Sequence, residues 1–391
     1  MSPRDSDEPH RASSPLELLF DLTFVVAVAQ VADELAKTIQ SGHALQGIIP
    51  FVMVFFAIWW AWMNFTWFAS AYDTDDVPYR LFTLLQIAGV LVLAAGVPAA
   101  FEHQNFFGIT LGYFIMRIGL VAQWVRAAVE NPDGRATARR YAIGVALVQV
   151  GWLARLLLPT DAANQWWTVY LAFVVLVALE IAVPYWAERP GMTTWHPHHI
   201  AERFGLFAII LLGETIAVLA IGDSEVVTAG DRVGPLVGVG ISALVLIFAL
   251  WWLYFLQPAG DGLAAHRDGS FFWGYGHYFI FAGLASLGAG IEVVVMFAGG
   301  HSAVAPATAA WSVAIPVAVF LVSLVVAHLR ILPGILIHVW IVGPTAIVVL
   351  LLPLLVGAIG LITVFGLTAA VSAAAVGATL ALARGKFGAE R

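Results

Sequence analysis

LELLFDLTFVVAVAQVADELA, residues 16–36, is long and apolar enough to cross a bilayer, yet it contains Glu17, Asp21, Gln30 and Asp33. A helix rises about 1.5 Å per residue, so roughly 20 residues span the hydrocarbon core. An ionised side chain at mid-bilayer costs about 2.5–3.5 kcal/mol on insertion scales. Acids in such a segment therefore face a bundle interior, pair with one another, or line a wet path. This reading sets the fold, a membrane helix, and directs the search for function to its polar face.

The same apolar pattern recurs along the 391 residues, of which 61% are hydrophobic and 11% charged. Twelve helices are expected, at about 16–37, 45–70, 79–101, 106–128, 138–158, 165–186, 199–221, 234–256, 271–298, 304–328, 333–353 and 358–383. The fold class is thus an all-α polytopic membrane protein. Helices satisfy their own backbone hydrogen bonds in lipid, and barrel strands would be shorter and alternating. The chain has no Cys, which excludes disulfides and thiolate chemistry. A net charge of -7 with no basic stripe excludes nucleic acid as the expected partner. No phosphate-binding loop is present, and the only lysines, Lys37 and Lys386, stand at segment ends, so no retinal Schiff base is expected. YDTDDVPYR (72–80) lacks the Gly/Asp/Arg signature of the sugar-transporter-like superfamily. No cofactor is expected.

Basic residues orient the chain. With the N-terminus inside, thirteen Lys and Arg fall on the cytosolic side, against Lys37, Arg155 and Arg232 outside. Arg117 and Arg203 lie within or beside helices. The bias predicts both termini in the cytosol, in a bacterial inner membrane. The expected organisation is a disordered tail (1–15), a six-helix half (16–186), a linker (187–198), a second half (199–383) and a C-terminal tail (384–391). Three matches fall six helices apart: Trp59-Trp60 with Trp251-Trp252, AGVLVLAAGV (88–97) with AGLASLGAGI (282–291), and ELLFDLTFVVAVAQ (17–30) with ERFGLFAIILLGET (202–215). Six is even, so the halves are expected to be parallel repeats.

Two segments carry a family resemblance. LELLFDLTFVVAVAQ (16–30) resembles the opening motif of the bacterial low temperature requirement protein A family, and HIAERFGLFAIILLGETI (199–216) resembles its second hallmark, HxxERFGLFxIIxLGE. The carried-over residues are Glu17, Phe20, Asp21, Phe24 and Gln30, then His199, Glu202, Arg203, Phe204, Gly205 and Glu214. The resemblance covers nearly the whole chain and implies the fold; the family name supplies no reaction. FDLTFVVAVA (20–29) is also similar to the first helix of six-helix-repeat potassium channels, although no Ser stands between Phe20 and Asp21. That likeness implies a path along the first and seventh helices, and a homodimer.

Depth along the helices sorts the polar residues. An inner layer is expected to hold Glu17 and Asp21, one turn apart, with Glu180, His199, Glu202 and Arg203. His277 lies two turns into the ninth helix. Arg117 and Gln30 lie in the middle, and Glu214 lies outward of them, eleven residues after Arg203 and on roughly the same face. The bland reading of the inner layer is a set of salt bridges pinning helix ends; the functional one is a gate or ion site. Arg117 and Glu214 are either one structural ion pair or part of a transport route, with Glu214 the favoured proton carrier. In WHPHHIAER (195–203), His196, His198, His199 and Glu202 are ligand types, but Pro197 breaks the helix, and no metal is expected. The aromatic run WWAWMNFTWF (59–68) reads as an interfacial belt.

The functional expectation is a secondary transporter or ion-conducting protein using these buried carboxylates, with a proton, a cation or a small solute as cargo. The alternatives are a membrane-embedded enzyme on a lipid-linked substrate, with His199 and Glu202 or His277 as acid and base, or a stress-related scaffold.

Overall fold

The computed structural model describes all residues except 2, 6, 7, 9, 10, 73, 159–165, 227–232, 333–335 and 390–391. Arg232, placed above on the outer side, lies outside the described residues. Among those described there are helices and no strands. In chain order they are α1 (Pro15–Gln40), α2 (Ala44–Tyr72), α3 (Val77–Ala95), α4 (Val97–His103), α5 (Phe107–Glu130), α6 (Arg135–Arg155), α7 (Trp166–Ala187), α8 (Pro197–Val226), α9 (Val233–Phe255), α10 (Ala259–Ala265), α11 (Ser270–Gly299), α12 (Pro306–His328), α13 (Leu336–Leu351), α14 (Val356–Ile359) and α15 (Leu361–Ala389). α4, α10 and α14 are short, and the twelve long helices fall on the twelve expected segments. Ten helical stretches among the described residues are long and apolar enough to cross a membrane.

Helix starts follow local chemistry. Ser14, Pro15 and Glu17 form a capping box: the Ser14 amide donates to Glu17 Oε2 (2.8 Å) and the Glu17 amide to Ser14 Oγ (3.3 Å). At α3, Asp76 Oδ1 accepts from the Tyr79 amide at 3.0 Å. At α8, Pro197 occupies the first position, and His196 Nδ1 accepts from the His199 amide at 3.2 Å. Ahead of α1, Arg11 is buried and donates to the carbonyls of Ser70 (2.7 Å) and Ala69 (2.6 Å). A guanidinium there meets the negative end of the α2 dipole.

The chain divides into two compact units, Met1–Val31 with Pro50–Arg203, and Ala32–Ile49 with Phe204–Arg391. The later part of α1 and the first turns of α2 group with the second unit. Within the first unit, α3 packs on α5 through glycines. A Cβ at Gly89 would lie 2.7 Å from the Gly112 carbonyl oxygen, and one at Gly96 would lie 2.7 Å from Gly108. Within the second, α11 presents Gly276, Gly283 and Gly290 to α12, spaced seven residues apart and so on one face. A Cβ at Gly276 would lie 2.9 Å from Ala327, and one at Gly283 would lie 3.1 Å from the Pro316 carbonyl. Lipid offers no hydrophobic drive between helices, so close backbone approach at small residues supplies the packing.

Candidate functional site

Two buried clusters in the first unit hold charged side chains paired across helices. The first joins α1 to the start of α8. Glu17 and Asp21 are four residues apart on one helix, His199 and Arg203 four apart on the other, so each pair shares a face. Arg203 Nε donates to Asp21 Oδ2 at 2.8 Å, Nη2 to Asp21 Oδ1 at 2.5 Å, and Nη1 to Glu17 Oε1 at 2.7 Å. His199 Nε2 lies 3.2 Å from Glu17 Oε1. Trp62 of α2 completes the shell, its indole N–H donating to Asp21 Oδ1 at 2.7 Å. Glu17, His199 and Arg203 are 0% exposed and Asp21 is 1%. His199 Nδ1 is buried without a hydrogen-bond partner among the described residues.

The second cluster is built from α2, α5, α6 and α7 around Glu180. Its Oε1 accepts from the Tyr113 hydroxyl (2.7 Å) and the Trp152 indole (3.1 Å), and its Oε2 accepts from the Trp60 indole (2.9 Å). Arg117 Nη2 lies 3.8 Å from Glu180 Oε1 and donates to the Tyr113 hydroxyl, which bridges the two charges. Arg117 Nε and both amide atoms of Gln149 are buried with no hydrogen-bond partner among the described residues. Trp60 and Trp62 are two residues apart, about 200° around a helix. The two clusters therefore lie on opposite sides of α2.

This arrangement corrects several expectations. Glu180 does not join Glu17 and Asp21 in one cluster; it lies across α2 from them and is the counter-charge of Arg117. Arg117 thus has its carboxylate within the first unit, while Glu214 belongs to the second unit and is half-buried. Glu202 is exposed and accepts from the Ser13 amide at 3.4 Å, one residue away from the buried Arg203 but on another face. Gln30 is half-buried. Trp59, Trp60 and Trp62 are no belt: they are at most 2% exposed, midway along α2. The signal that could have found this is the need of a buried carboxylate for donors, which an indole meets without adding charge. The S-x-x-E spacing of Ser14 and Glu17 is likewise a sequence signal of the capping box.

The histidines divide by hydrogen bonding. His196 Nε2 bonds to the Glu8 carbonyl at 2.8 Å while its Nδ1 caps α8, so the ring is the neutral Nε2–H tautomer. Burial holds it below the ordinary histidine range. No three His, Asp or Glu side chains among the described residues converge in metal-binding geometry. In the second unit, His277 Nδ1 bonds to the Trp273 carbonyl (2.8 Å) and its Nε2 faces the Tyr254 hydroxyl (3.2 Å). His328 repeats the scheme, with Nδ1 on the Leu324 carbonyl (2.8 Å) and Nε2 accepting from the Trp273 indole (3.1 Å). Both nitrogens of each ring have partners, an arrangement that suits packing between helices.

Compared with known proteins, residues 12–383 match the family described as bacterial low temperature requirement A protein. The chain is 27% identical over 297 residues to an uncharacterised protein of Rhizobium meliloti (strain 1021), which covers 72% of this chain and 69% of that relative. No solved structure matches.

Proposed function

Because the chain belongs to the bacterial low temperature requirement A family, whose name supplies no reaction, we propose its function from the geometry: a proton-linked transporter or ion-conducting protein whose Glu17–Asp21–His199–Arg203 cluster takes up and releases one proton. The charge count of that cluster carries the reading. Two carboxylates face one guanidinium, so with His199 neutral the buried group holds one net negative charge. An unbalanced charge is expensive in apolar surroundings. One proton, on the imidazole or shared with a carboxylate, brings the cluster to neutrality, and the titration then belongs to the group rather than to one residue. Arginine stays charged throughout. The cluster sits in the first turns of α1 and α8, beside the exposed Glu202, so the proton has a short route to water. The Arg117–Glu180 pair is balanced and serves as a fixed strut.

The parallel-repeat reading gains support from the glycines. Gly89 and Gly96 align with Gly283 and Gly290, and all four meet the following long helix most closely. The aligned tryptophans argue for divergence, since Trp251 and Trp252 are 44% and 47% exposed whereas Trp59 and Trp60 are buried. The cargo is a cation or a small solute, and both termini face the cytosol of the bacterial plasma membrane.

The test is flux in proteoliposomes, with an internal pH dye and imposed potassium or sodium gradients. Asp21→Asn removes the surplus charge yet leaves a side-chain oxygen for Arg203 and Trp62. It should fold and lose proton-coupled flux. Flux in that variant equal to wild type across pH would refute the proposal, as would no coupled flux in wild-type protein under any gradient.

A further inference from the structure

Arg155, the last residue of α6, is 7% exposed and has no carboxylate partner among the described residues. Its Nε donates to the Val169 carbonyl at 3.2 Å, and its guanidinium lies over the rings of Phe106 (5.0 Å) and Phe173 (5.7 Å). Nη2 is buried with no hydrogen-bond partner among the described residues. Arg155 also lines a cavity of about 30 Å³, walled by Phe56, Phe106, Tyr113, Trp152 and Phe173. One water needs about 10–15 Å³ on this measure, so the space suits one or two small bound species.

We infer that this cavity is a binding site for a small monovalent anion, of halide or formate size, held by Arg155 Nη2. Three observations converge on that chemistry. A guanidinium cannot shed its proton, so a buried one without a counter-charge calls for an anion. The Tyr113 and Trp152 walls do not oppose it, because both side chains donate to Glu180 and all three donors cover that carboxylate. Apart from Thr110 the remaining walls are aromatic and apolar, which favours a weakly hydrated ion over a doubly charged one, and the volume leaves no room for a larger headgroup. Glu180 and Arg117 already balance each other, so the anion neutralises the second site as a whole. The inference does not rest on the proton reading of the other cluster.

Bromide and chloride are the probes. Full-length protein in neutral detergent should show a saturable rise in Tm with bromide replacing gluconate at constant ionic strength. Arg155→Met should abolish the rise, and Arg155→Lys should shift its midpoint about tenfold to higher concentration. A bromide anomalous peak beside Arg155 Nη2 in crystals of wild-type protein tests the site without any variant. An unchanged bromide response in Arg155→Met would overturn the assignment, as would no bromide response or peak in wild-type protein. Co-purified anionic phospholipid that disappears in Arg155→Met, with no halide response, would overturn it in favour of a lipid headgroup.

Discussion

Replacing Arg203 with Met tests the first cluster most directly. The side chain is of similar length, so the perturbation is the loss of charge and of three N–H donors. Asp21 would keep only the Trp62 indole, and Glu17 only His199 and the Ser14 amide. Removing one partner of a buried ion pair costs about 3–5 kcal/mol, chiefly through the charge left behind. Two carboxylates are stranded here, so the cost should sit near about 5 kcal/mol, the top of that range. That is a large part of the 5–15 kcal/mol that typically holds a domain together. The reciprocal variant, Glu17→Gln with Asp21→Asn, strands the guanidinium and should also be costly. The triple variant, whose His199 has lost its carboxylate and stays neutral, carries no buried charge in this cluster and should recover about 3 kcal/mol relative to Arg203→Met. Equilibrium unfolding in mixed micelles, followed by tryptophan fluorescence, gives each corner of the cycle. Arg203→Met within about 1 kcal/mol of wild type would refute the reasoning, and so would a triple variant no more stable than Arg203→Met.

Three further outcomes follow from the geometry. Trp60→Phe leaves Glu180 Oε2 buried without its donor and should cost about 1–3 kcal/mol by the same unfolding measurement, whereas an exposed Trp252→Phe should change little. Gly112→Val drives a side chain into the backbone of α3 at Leu93 and should cost more than the usual 1–3 kcal/mol of overpacking, read as loss of monodisperse protein after extraction. The third concerns pH. The folded state favours neutral His196, so its contribution is full above the ordinary histidine value of about 6.5 and is lost as pH falls below it, because protonating Nδ1 breaks the α8 cap. Protection of the His199 amide from hydrogen exchange, taken relative to the intrinsic exchange rate at each pH, should therefore fall from pH 7.5 to pH 5 in wild type and not in His196→Asn, whose side-chain oxygen caps at either pH.

Helix number, helix placement and family were legible because lipid imposes them locally. A run of about 20 apolar residues must become a helix wherever it sits, since its backbone has no other partner. The two hallmark segments, with Glu17, Asp21, His199 and Arg203, likewise marked the first cluster, because acids and bases at four-residue spacing on separate helices have few reasons to be in lipid except each other. Helix ends were readable in principle from Ser14, Asp76 and Pro197.

Which acid meets which base was a different kind of question, and only the tertiary structure decided it. Depth along a helix places Glu180 beside Glu17 or Arg117 beside Glu214 equally well; the azimuth at which helices face one another separates these choices. That azimuth depends on Gly89 meeting Gly112, and on Trp60 and Trp62 pointing to opposite sides of α2, which separates the Asp21 cluster from the Glu180 cluster. The role of the tryptophans was hidden for the same reason, since an indole at an interface and one donating to a buried carboxylate look alike in one dimension. Sequence settles what each helix must bury; the packing of neighbours settles where each charge finds its partner, because that depends on contacts between residues 41 to 186 positions apart in the chain.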